Sequence, residues 1–205
     1  MQTLLEAFLQ QTVTFAAIMD PVGVSAMMLG MLSHQATRSE VLTIARQATW
    51  TISIAFFVVL LAGDAILRAF GIDQNSLKVI GGIVLLMMAL EMLGSGNSRM
   101  LSADNQEKVG VIPLGIPMIF GAGLFTTVII LRQQAETLSG IGVTIAAFLV
   151  NALVMYLVLR YAIHIRKLLG MTAENVITKL MGLITGAIAI QFIVDGIVTL
   201  GKHYL

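Results

Sequence analysis

The chain has 205 residues, of which 58% are hydrophobic and 11% charged, and its mean hydropathy is +0.94. Soluble domains carry about 25% charged residues, so an ordinary water-soluble globule is excluded and an integral membrane protein is indicated. The formal net charge of +1 argues against nucleic acid, which calls for a basic patch, and the absence of cysteine excludes disulfides and thiolate chemistry.

Six apolar segments read as transmembrane helices, each near the ~20 residues that a bilayer requires. The first covers residues 7–32. No Lys or Arg precedes it and no small-residue cleavage site follows, so it reads as a membrane helix and not as a signal peptide. Met19-Asp20-Pro21-Val22-Gly23 interrupts it near its middle. An aspartate there costs roughly 2.5–3.5 kcal/mol on insertion scales. Proline inside a helix costs about 3 kcal/mol, and glycine lowers helix propensity further. Two readings follow. Either the helix is broken because the backbone lines a cavity, or a proline kink has Asp20 capping the second half-helix. In both, the carboxylate needs a partner.

The second span is residues 44–67, after a polar loop at 33–40, and a short loop at 68–76 leads into the third, 77–93. The polar connection 94–110 divides the chain into a first half (1–96), a connecting loop (97–110) and a second half (111–205). The fourth span, 112–131, carries Pro113, Pro117, Gly121 and Gly123; the fifth is 141–161, with Asn151 at its centre; the sixth is 176–200. Arg38, Arg46, Arg99, Lys108, Arg160, Arg166, Lys167 and Lys179 fall on one side, against Arg68, Lys78, Arg132 and Lys202 on the other. The excess places the first set in the cytoplasm and both termini outside.

The halves resemble one another. Lys78-Val79-Ile80-Gly81 matches Lys179-Leu180-Met181-Gly182, and Gly23 matches Gly123 at nearly the same distance from that lysine. Three spans per half make the second half enter from the opposite side, so the expected fold is all-α, with two inverted three-helix repeats and discontinuous helices one and four. In transporters of this kind the site lies at the midplane between the broken helices. The halves differ chemically, since Asp20 aligns with Phe120 and Pro21 with Gly121. Backbone N–H groups freed at Gly121 and Gly123, followed by Thr126 and Thr127, would hold a carboxylate. Asp20 would hold an ammonium group or a coupling cation, sodium or proton. A small zwitterion suits this pairing. Equally, the two glycines would serve close helix packing alone.

Asn151 and Gln191 are candidate supporting polar groups, with bonding to a neighbouring helix as the simpler role. Asp64 and Asp195 read as solvated at helix ends. With no cysteine and no histidine inside a span, no metal site is expected. The missing second acid opposite Asp20 argues against an intramembrane enzyme.

These motifs give the chain a family resemblance. Met19 to Gly23, Gly71 to Gly82, Ile112-Pro113-Leu114-Gly115-Ile116-Pro117 through Gly121-Ala122-Gly123, Thr126-Thr127-Val128-Ile129, and Arg166 to Gly196 with Gln191 and Asp195-Gly196 resemble the MarC family. That family is also called the neutral amino acid transporter family. The resemblance implies a bacterial or archaeal inner-membrane protein with inverted repeats. It also implies a pocket between the broken helices that moves small neutral amino acids such as glycine or alanine by alternating access. Export of another small metabolite or drug, and a non-transporting membrane scaffold, are the alternatives. The oligomeric state stays open. Val24 and Ala26 stand where the family has Asn and Pro, and Ala122 where it has Pro, which bears on substrate identity.

Overall fold

A computed structural model describes residues 4–32, 38–94, 121–135 and 137–204. The helices are α1 (Leu4–Met19), α2 (Pro21–Met31), α3 (Arg38–Ala69), α4 (Gln74–Leu93), α5 (Ala122–Gln134), α6 (Leu138–Arg160) and α7 (Ala162–Tyr204), and there is no strand among the described residues. The protein is therefore all-α and polytopic. Five stretches are long and apolar enough to cross a membrane: Leu4–Leu29, Arg38–Ala69, Asn75–Leu93, Leu138–Arg160 and Ala162–Lys202. α5 is the described part of the expected fourth span. Pro113, Pro117, Phe120 and the connecting loop 97–110 lie outside the described residues.

The local rules are visible at the helix ends. Asp73 caps α4, accepting from the N–H groups of Asn75 (2.8 Å) and Ser76 (3.2 Å), as a short acceptor at an N-cap should. Thr137 caps α6 through Gly140 N–H at 3.2 Å. Gly71 turns the chain between α3 and α4 with φ +65, a conformation that glycine adopts without penalty.

Most helices run past the boundaries expected from sequence, α3 and α7 by the most. α3 begins at Arg38 and not at 44, α6 begins at Leu138 and not at 141, and α7 begins at Ala162 and not at 176. Hydropathy finds only the apolar part of a helix. Residues 38–43 and 162–175 contain no proline and are rich in Arg, Leu, Ala, Glu, Lys and Met, all good helix formers, so the helices extend through them. Gly170, at φ 72, bends α7 between a polar arm and the span proper.

Exposed side chains are largely apolar: Leu61, Ile54, Leu153, Leu183 and Val194 all stand open, as a lipid-facing surface requires. Inside, Phe56 and Phe148 stack at 3.8 Å between centroids with Phe15 edge-on to both, joining α1, α3 and α6. The most extensive pairing among the described helices is between α4 and α7, which run antiparallel along a seam of glycines. A Cβ added to Gly82 would meet Ala189 O and Ile193, one on Gly182 would meet Met92 and Ala89 O, and one on Gly196 would meet Val79 and Asn75 O. Small residues let membrane helices approach this closely. Lys78 Nζ and Asp195 Oδ2 close one end of the seam at 2.8 Å, so Asp195 is paired and not merely solvated. Asp64 likewise accepts from Gln133 Nε2 at 3.1 Å, tying α3 to α5.

Candidate functional site

The break between α1 and α2 is where the sequence places it. Asp20 sits between the two helices in the left-handed region, φ 36 and ψ 69, a conformation that Asp tolerates better than most residues. Pro21 occupies the first position of α2, where its missing N–H costs nothing and its fixed φ suits the helix. Backbone bonding spans the break: Asp20 N–H donates to Ala16 O at 3.1 Å, and Val24 N–H to Asp20 O at 3.0 Å.

The Asp20 side chain is only 5% exposed. Its Oδ1 accepts from Gly23 N–H at 3.1 Å, so the aspartate caps the second half-helix, the second of the two sequence readings. The Thr178 side chain of α7 stands beside the same carboxylate. Gly23 is required at this position because a Cβ on it would coincide with the Asp20 carboxylate and stand 3.1 Å from Thr178 Oγ1. Among the described residues no cation pairs with Asp20.

One turn before Thr178, on the same face of α7, lies Glu174, 4% exposed and with Oε1 free of any hydrogen-bond partner. Two turns after Thr178 comes Thr185, fully buried with its hydroxyl unpartnered. α7 thus carries two buried polar side chains, Glu174 and Thr185, on either side of Thr178. Neither Thr178 nor Glu174 stands out in the sequence. A signal for Thr178 is present: its repeat counterpart is Leu77, as Phe120 is the counterpart of Asp20, so both polar partners occupy positions that are apolar in the other half. Glu174 is hidden because the expected sixth span begins after it.

The remaining candidates divide. Gly121 precedes α5 and offers no side chain to cap its first turn. Gly123 packs against Leu85 Cδ2 and Met88 Sδ, which is the close-packing reading. Thr126 is buried against Gly81, where a Cβ would overlap its methyl group. Thr127 donates its hydroxyl to Gly123 O at 2.8 Å and is satisfied within its own helix. Asn151, 2% exposed, donates to Thr12 O of α1 (3.1 Å) and to Ala147 O (2.9 Å), so it ties α1 to α6. Asn151→Leu is expected to cost about 0.6 kcal/mol, measured by thermal unfolding in detergent. Gln191 does not belong to the site. It is exposed, lying nine residues from Gly182 and therefore about 180° around the helix from the α4 seam.

A family model described as MarC family integral membrane protein matches residues 5–200. The chain belongs to the MarC family. Similar MarC proteins occur in both bacteria and archaea. A UPF0056 membrane protein of Pyrococcus abyssi is 34% identical over 203 residues, covering 96% of this chain and 97% of the relative. The UPF0056 membrane protein YhcE of Escherichia coli is 33% identical over 192 residues, covering 88% and 87%. A UPF0056 membrane protein of Buchnera aphidicola is 33% identical over 189 residues, covering 90% and 89%. No solved structure matches the chain.

Proposed function

We propose that this MarC-family chain is a secondary transporter of a small neutral solute, foremost a small neutral amino acid such as glycine or alanine, working by alternating access across the inner membrane. The observation that carries the reading is the burial of the Asp20 carboxyl group at the helix break. Asn, Ser and Asp cap helices about equally well, yet a carboxylate at membrane depth costs roughly 2.5–3.5 kcal/mol. An aspartate used only as a cap would pay that penalty for nothing. A buried carboxylate held by the Gly23 N–H, beside Thr178 and with no cation among the described residues, is instead a place for one, either a substrate ammonium group or a coupling sodium ion or proton. Glu174 stands one turn from Thr178 and supplies a second acceptor for the same cation.

The inverted repeat is part of the proposal. A shift of 101 positions, the separation of Lys78 and Lys179, would carry the Gly182–Met92 contact onto Gly81–Ile193. The contact found is Gly82–Ile193. The same shift carries Gly182–Ala89 onto Gly81–Ile190, and Gly82–Ala189 is found. Agreement to within one residue supports a pseudo-two-fold axis between α4 and α7. The basic side of the molecule would face the cytoplasm, and both termini the outside.

The test is uptake of labelled glycine, alanine and serine by purified protein in liposomes, with and without sodium or proton gradients. Gradient-dependent uptake of at least one is expected. Folded protein that moves none of them under any gradient contradicts the amino-acid reading, and Val24, Ala26 and Ala122 would then direct the search to other solutes.

A further inference from the structure

A second polar feature lies away from the break, where α3 begins and α6 ends. A cleft of about 220 Å³ opens there, lined by Ser39, Leu42, Thr43, Arg46, Tyr156 and Arg160. Two arginines and three hydroxyl-bearing residues line one small space, and among the described residues no acid lines it. Arg160 is held in place: its Nη1 donates to Tyr156 Oη at 3.1 Å, and its guanidinium lies 5.9 Å and 5.7 Å from the rings of Tyr156 and Tyr161. Its Nε is buried and has no hydrogen-bond partner, so a fixed donor is left over. Arg46 is exposed and free to swing.

The depth of the cleft matters. Arg46 is the last charged residue of α3 before the apolar run 48–63, and Arg160 ends the apolar run of α6. Trp50, 65% exposed one turn further in, marks the level of the aromatic belt. Both guanidiniums therefore stand at the height of lipid headgroups. Below them, Ile54 on α3 and Leu153 and Leu157 on α6 are exposed and apolar. Two guanidiniums with neighbouring hydroxyls match a phosphate group, whose oxygens accept bidentate arginine bonds. Basic pockets between membrane helices are the usual form of an acidic headgroup site.

We propose that the Arg46–Arg160 cleft binds a phosphate-bearing anion, supplied in the membrane by the headgroup of an anionic phospholipid. The site is separate from the Asp20 break and does not depend on transport.

The test is native mass spectrometry of the detergent-purified full chain with added phosphatidylglycerol, phosphatidylcholine or inorganic phosphate, alongside the variants R46Q, R160Q and R46Q/R160Q. The wild type should retain phosphatidylglycerol in preference to phosphatidylcholine, with binding about fivefold weaker for each guanidinium removed. R46K/R160K should keep part of the affinity, because charge remains and the bidentate fork does not. If inorganic phosphate binds alone as tightly as the lipid, the site stands and its source is a soluble anion. Phosphatidylglycerol bound equally by wild type and folded R46Q/R160Q, or no phosphate-bearing ligand bound by wild type, overturns the proposal. Should R160Q fail to fold, R46Q alone decides, since Arg46 is exposed and unneeded for packing.

Discussion

Gly23→Ala is expected to disable the protein while leaving it inserted in the membrane. The added Cβ falls on the Asp20 carboxylate and close to the Thr178 hydroxyl, so the side chain must leave the cap. Loss of an N-cap costs about 0.5–2 kcal/mol, read as a modest fall in the unfolding midpoint. The effect on uptake is larger, because the carboxylate loses the Gly23 N–H and its place beside Thr178 at once. A drop of at least about tenfold is expected, the factor that ~1.4 kcal/mol of lost binding represents. Gly123→Ala is the comparison. Its Cβ meets only the Leu85 Cδ2 and Met88 Sδ ends of side chains, which can move, so uptake should fall much less. Equal effects of the two changes would favour the symmetric site that the repeat suggests and would leave Asp20 with no special role.

The largest loss of stability is expected from Gly82→Leu. The Cβ would stand 2.7 Å from Ala189 O and 3.0 Å from Ile193 N. These are backbone atoms, so no side-chain rotation relieves the clash, and α4 and α7 must separate along their seam. Overpacking costs typically 1–3 kcal/mol, and at this seam the upper end, about 3 kcal/mol, is expected. That corresponds to a fall of order 10 °C in Tm, at about 2–4 °C per kcal/mol for a chain of this size. Gly142→Ala is the control. Nothing stands within 4 Å of its Cβ, and alanine is the better helix former by about 1 kcal/mol, so that variant should melt at or above the wild type. Thermal unfolding in detergent, followed by circular dichroism, reads both. A Gly82→Leu protein as stable as the wild type would show that the α4–α7 seam is not what holds the two helices together.

Much of this was legible in the residues. Pro21 and Asp20 break a membrane helix for reasons of sterics and solvation that hold in any surroundings, so the α1–α2 interruption could be placed to the residue. Asn151 was readable as a helix tie, since an amide at membrane depth needs a partner and an adjacent helix is the nearest source. What sequence could not supply were the partners that depend on which faces meet. Thr178 matters only because α7 packs beside α2, and Gln191 fails as a site residue only because it falls on the lipid side of the same helix. Glu174 was missed for another reason. Hydropathy ends a helix where polarity begins, while the backbone continues for as long as propensity allows. Gly121 and Gly123 look alike in sequence, yet one precedes a helix start and the other packs on leucine and methionine.

The most direct measurement is gradient-driven uptake by wild type and Asp20→Asn protein in the same liposomes. Asparagine caps α2 as well as aspartate does, so the variant should fold and melt close to the wild type, and any change in transport reports the charge alone. Uptake is expected to collapse, and its response to the sodium or proton gradient to disappear. Uptake by Asp20→Asn equal to the wild type, with the same gradient dependence, would show that the carboxylate is only a helix cap and would contradict a transport role for its charge.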